Sequence, residues 1–84
     1  MKPILTREIY DDGVQEFYKF DNNYGASVVQ HTFRSTGDLW EIAPIKFKGS
    51  NIDDWDFVKV KLSGISKPMK RESIYDVLQF IKDL

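Results

Sequence analysis

Apolar residues in this chain change their spacing once, near Ser63-Gly64, and that change limits the folds open to it. In Phe57–Leu62, Val58, Val60 and Leu62 alternate with Lys59 and Lys61, the period of two produced by a strand with one buried and one solvated face. From Ser73 onward Ile74, Val77, Leu78, Ile81 and Leu84 recur at intervals of three and four, the stripe of an amphipathic helix. Ser73 with Asp76 three residues later fits a capping box, and Pro68 bars the helix from running far upstream. One such helix is marginal alone in water, so its stripe must dock on an apolar sheet.

The residues before the change read as strands. Asp11-Asp12-Gly13, Asp21-Asn22-Asn23-Tyr24-Gly25 and Ser35-Thr36-Gly37-Asp38 carry turn-forming residues between segments rich in β-branched and aromatic side chains, a hairpin signature. Strands are predicted at Ile4–Tyr10, Val14–Phe20, Ala26–Phe33 and Leu39–Phe47, close enough in sequence to pair as a meander. The expected fold is α+β: four or five antiparallel strands followed by one C-terminal helix packed on one face. With 84 residues the chain is too short for two cores, so residues 1–84 are read as a single domain.

Composition narrows the function classes. There is no cysteine, hence no disulfide framework, thiolate nucleophile or cysteine-based zinc site. Hydrophobic content of 42% with a net charge of −1 argues against disorder, and the longest apolar run falls far short of a bilayer span. Met1-Lys2-Pro3-Ile4-Leu5-Thr6-Arg7 lacks the apolar core of a signal peptide, so the expectation is a cytoplasmic protein with no membrane partner. The net charge conceals a division: Met1–Pro44 holds four basic and seven acidic residues, Ile45–Arg71 seven basic and three acidic. Lys46, Lys48, Lys59, Lys61, Lys67, Lys70 and Arg71 beside Trp40 or Trp55 form a pattern able to track a phosphate backbone and stack bases. Against nucleic acid stand a sequence pI near 5.7, a single Arg among these seven, and the absence of an RNP-type motif.

Alternation divides the fourth segment into Leu39, Glu41, Ala43, Ile45 and Phe47 on one side and Trp40, Ile42, Pro44, Lys46 and Lys48 on the other. The first set is the better core and is expected to face the helix. Trp40, Ile42, Lys46 and Lys48 would then share an outer face with Phe57, Lys59 and Lys61. An ordinary solvated surface, with lysine stems over a few aromatics, would look like this. So would a partner-binding patch, since aromatics with a polar rim anchor protein interfaces. Self-association into a homodimer is a further way to bury the 12 aromatics of so small a chain.

No catalytic constellation emerges. His31 falls in a strand segment on the side of Val29 and Phe33, where a lone histidine reads as a partly buried polar side chain. Asp53, Asp54 and Asp56 lack the glycine and terminal glutamate of an EF-hand loop. Tyr24-Gly25-Ala26-Ser27 is no nucleophile elbow, and no Walker or dinucleotide glycine pattern occurs. No enzyme activity, cofactor or metal is expected.

Asn22-Asn23-Tyr24-Gly25-Ala26-Ser27-Val28-Val29, followed by Gly37-Asp38-Leu39-Trp40-Glu41-Ile42-Ala43, resembles a pattern in small bacteriophage proteins: an Asn-Gly-Tyr-Gly-Ala-Ser-Val-Val-like turn and strand, then a Gly-Leu-Trp-Glu-Leu-Ala-like strand. The resemblance covers Phe17 to Pro44, with Asn23 where a glycine is usual. It implies a phage accessory protein made in the bacterial cytoplasm, and it transfers no catalytic residue; together with the missing catalytic residues and the aromatic-lysine face, the expectation is a protein that binds a host or phage protein. Physically, Asn23, Tyr24 and Gly25 read as a structural turn, with Gly25 supplying the hairpin geometry. Trp40 has two readings, filler of the sheet–helix core or anchor for a partner on the outer face.

Overall fold

The computed structural model describes residues 1–9, 13–31, 38–59 and 67–84. Five strands, β1 (Leu5–Ile9), β2 (Gly13–Lys19), β3 (Tyr24–His31), β4 (Glu41–Phe47) and β5 (Trp55–Phe57), form one sheet in the order β1-β2-β3-β4-β5. Every neighbouring pair is antiparallel, and the helix α1 (Arg71–Lys82) lies over β3 and β4. This is the α+β meander with a C-terminal helix read from the sequence. The predicted turns at Asp11-Asp12 and Ser35-Thr36-Gly37, and the stretch containing Val60, Lys61 and Leu62, lie outside the described residues.

The last strand differs from expectation. It begins at Trp55 and ends at Phe57, where Val58 N–H donates to Pro44 O at 3.1 Å. A strand residue presents its N–H and C=O on the same side, so Pro44 faces β5 and has no N–H to return to Val58. The ladder stops there, while pairing of β3 with β4 continues from Val29↔Glu41 to Tyr24↔Lys46.

The helix also starts earlier than its sequence signature. Arg71 is its first residue and Lys70 its N-cap, with no side-chain cap bond; Ser73 is already inside the first turn, its N–H donating to Lys70 O. The Ser73–Asp76 capping box therefore does not form. The start is fixed from the sheet instead, because Trp40 and Met69 exchange two backbone hydrogen bonds of 2.7 and 2.8 Å just upstream. Of the predicted stripe, Ile74, Val77, Leu78 and Ile81 are buried, whereas Leu84 lies past the helix end and is half exposed. Burying each of the four contributes about 1.5–3 kcal/mol relative to exposure.

Which side of β4 faces the helix is the reverse of the expectation. Ile42 is buried with Tyr18, Phe20, Ala26, Val28 and the helix stripe, and Trp40 packs half-buried against the same cluster. Ile45 and Phe47 sit on the opposite face with Phe17 in a second, smaller core, closed by Ile52 and Trp55 from the β4–β5 hairpin. Both sides of β4 are thus buried, each by a different element. A comparison of which side is more apolar assumes only one is covered, and that assumption fails here.

The Asn22–Gly25 motif joins sheet and helix. Asn22 Nδ2 donates to the backbone oxygens of Ile81, Lys82 and Leu84 at 3.1–3.2 Å, binding the turn to the C-terminal end of the helix, while its Oδ1 accepts from Tyr24 N–H. The left-handed residue of the turn is Asn23, at φ 66°, a conformation asparagine tolerates better than most side chains. Gly25 serves a different purpose from the turn geometry expected of it. It lies within β3, where a Cβ would stand 1.9 Å from Tyr18 O and 2.7 Å from the Phe47 ring.

Candidate functional site: the open face of the sheet

Because side chains alternate along each strand, the register arranges the face opposite the helix in rows. One row reads Arg7, Gln15, Val29 and Glu41; the next reads Leu5, Phe17, Ser27 and Ala43; a third brings Gly25 and Ile45 to Phe57. Ser27 and Ala43, two of the smallest side chains in the sheet, are cross-strand partners. They floor a depression of about 340 Å³ walled by Gln15, Val29, His31, Glu41 and Phe57. This volume lies at the lower end of ordinary ligand pockets.

A chain of polar contacts crosses the rim. Arg7 Nε donates to Gln15 Oε1 at 2.9 Å, and Gln15 Nε2 donates to Ser27 Oγ at 2.8 Å. Ser27 is buried, so this bond supplies the partner a buried hydroxyl needs. The other half of the face is aromatic. Trp55 packs edge-on against Phe57 at 5.0 Å and tilted against Phe17 at 5.8 Å. Arg7 lies 5.1 Å over the Phe17 ring and Lys19 5.3 Å over the Phe47 ring, so long cationic side chains shield the edges of the small core. Phe57 is different: 68% of its surface is exposed.

The seven residues proposed from sequence as a binding patch are therefore divided. Phe57 projects from the open face. Ile42 belongs to the helix core and Trp40 packs against it, the core-filling reading of that tryptophan. Lys46 stacks over the Tyr24 ring at 4.7 Å. Lys48 pairs with Asp56 at 3.2 Å, both well exposed, an arrangement worth little in water. Lys59 is exposed, and Lys61 lies outside the described residues. Of the residues read as a structural turn, Asn23 holds the left-handed turn position, while Tyr24 and Gly25 lie in β3. Sequence reasoning overlooked Gln15, Ser27 and Ala43. Their one available signal was the presence of small or polar residues at same-parity positions, and it becomes legible only once the register is known.

The helix-covered face carries the strongest electrostatic cluster, which ties the helix start to the sheet. Arg71 Nη2 donates to Glu16 Oε1 at 2.7 Å and to Tyr18 OH at 3.2 Å, and its Nε donates to Tyr75 OH. Its guanidinium also stacks 4.4 Å over the Trp40 ring. Burial opposes the Arg71 charge, but the bonds to Tyr75 and Glu16 outweigh it and push its pKa up. Tyr18 OH donates to the same Glu16 oxygen at 2.7 Å. Burial, reinforced by Glu16, raises the Tyr18 phenol to about 12.

Among the described residues no group of three or more His, Asp or Glu could hold a metal ion, and no helix is long and apolar enough to cross a membrane. No family model, curated protein or solved structure matches the chain.

Proposed function

We propose that the chain is a non-enzymatic binding protein that docks a host or phage protein on the open face of its sheet, as an accessory protein acting in the bacterial cytoplasm. The observation that carries this reading is Phe57, a phenyl ring 68% exposed at the rim of a concave, small-residue floor. An aromatic side chain left in water beside a depression is the arrangement by which interfaces anchor a partner. The phage assignment rests on the resemblance at Asn22–Val29 and Gly37–Ala43. Affinity purification from expressing or infected bacteria tests the reading. A stoichiometric protein partner retained by the wild-type chain and lost with Phe57→Ala is the expected result; no such partner with either chain would refute it.

Single-stranded nucleic acid is the second reading, favoured by Arg7 and Lys19 above aromatic rings on this same face. The rings beneath them, Phe17 and Phe47, are buried, so these two cations do not border a ring on which a base could stack, and Phe57 is the one ring of the described face that stands open beside the recess. A gel shift at low salt that retains no oligonucleotide would remove this alternative. Recovery of the chain from purified particles would instead support a minor structural role in the virion.

A further inference from the structure

From the open face we infer that a partner it accepts is a second copy of this chain, in a symmetric dimer that seats each Phe57 in the depression of the other protomer. The inference rests on the reading of this face as a protein-binding surface and names its occupant. A two-fold dimer uses the same patch on both subunits, so the patch must be complementary to itself. This one carries a projection and a recess side by side: the Phe57 ring stands out on β5, and the recess floored by Ser27 and Ala43 lies next to it on β3 and β4. A half-turn that places Phe57 of one copy over that recess places the other Phe57 equally, and the two rings then meet close to the axis. Trp55, edge-on to Phe57 at 5.0 Å, backs the ring and widens the aromatic centre.

The remainder of the face has the anatomy of a small interface. Arg7 and Lys19 stand at the margin of this centre, already stacked on rings, in keeping with a charged rim, while Glu41 lines one wall of the recess itself. Five strands of three to eight residues, 30 residues in all, at about 3.3 Å per residue and about 4.8 Å per strand, give a face of roughly 500 Å² in projection. A standard interface takes about 800 Å² of accessible surface from each partner, so the area fits a dimer at the small, weak end of the range. Area does not set affinity, so the dimer is sought over a wide range of concentration.

Sedimentation equilibrium over about 5–500 µM, the range a small interface calls for, decides the matter. The expected result is a mass that rises with concentration from the 9.8 kDa monomer toward twice that value, with dissociation at least about tenfold weaker for Phe57→Ala. Ala43→Leu, which fills the recess, should weaken it similarly, with near-UV circular dichroism reporting whether each variant stays folded. Phe57→Ala alone suffices if Ala43→Leu does not fold. A wild-type chain monomeric throughout, or a dimer indifferent to Phe57→Ala, overturns the inference. A monomer that still retains a different protein in a Phe57-dependent way overturns only the second copy as occupant; a monomer that retains nothing overturns the binding face as well.

Discussion

The two faces of the sheet are both apolar near β4, yet they are closed by different means. On one face a twelve-residue helix supplies four buried side chains and is fastened at both ends, by Arg71 to Glu16, Tyr18 and Trp40 and by Asn22 to the backbone oxygens of Ile81, Lys82 and Leu84. On the other, a hairpin contributes only Ile52 and Trp55 over Phe17, Ile45 and Phe47, and it leaves the Ser27–Ala43 recess and Phe57 uncovered. The first arrangement spends its apolar surface on stability. The second leaves part of its apolar surface available for a partner, so substitutions on the two faces should separate folding from binding.

The largest effect is expected at Leu78, fully buried beneath the helix. Leu78→Ala should lower unfolding free energy by about 2–5 kcal/mol in urea titrations, through lost burial and the cavity left behind. A smaller loss would mean that the helix face packs less tightly than its burial indicates. Alkaline pH should act next. The Tyr18 phenol is raised from 10.0 to about 12 in the folded chain, so its contribution is fully present below pH 10 and is lost as pH climbs from 10 to 12, where the unfolded chain ionises first. Two units correspond to about 2–3 kcal/mol. Comparing the wild type with Tyr18→Phe across that range isolates this slope, and parallel curves would show that the phenol plays no part.

Arg71→Gln should cost about 1–3 kcal/mol, because it leaves the half-buried Glu16 carboxylate without its cation. Arg71→Lys should recover only part of this, since an ammonium cannot serve Glu16 and Tyr75 together while stacking on Trp40. Phe57→Ala should change stability least, within about 0.5 kcal/mol as exposed positions usually do, while abolishing partner retention. If this variant unfolds as readily as Leu78→Ala, the contrast between the faces collapses.

Much of the fold was legible because it rests on local signals. The turn residues Asp21-Asn22-Asn23 bounded the β2–β3 hairpin, and the spacing of Ile74, Val77, Leu78 and Ile81 identified the helix and its buried side. What could not be read was relational. Leu39, Ala43, Ile45 and Phe47 look more apolar than Trp40 and Ile42, which favours an outer place for the latter, whereas the sheet buries Ile42 beneath the helix and Ile45 and Phe47 on the opposite face. The end of β5 depended on which side of β4 presents Pro44. The Ser27–Ala43 recess depended on a cross-strand register that one chain's spacing does not encode. Arg71 looked like one member of a basic run, yet it is held by Glu16, 55 residues away in sequence.

The helix comes after every strand in chain order, and this governs how the molecule must be made. A ribosome delivers β1 to β5 first, with Tyr18, Phe20, Val28 and Ile42 facing water and nothing yet to cover them. Hairpins of this kind close locally within microseconds, but the helix cannot hold its shape until it docks. The growing chain therefore passes through a stage with an adhesive, half-finished sheet. Asn22, waiting in the turn between β2 and β3 for three backbone oxygens that emerge some sixty residues later, is the latch that ends that exposure.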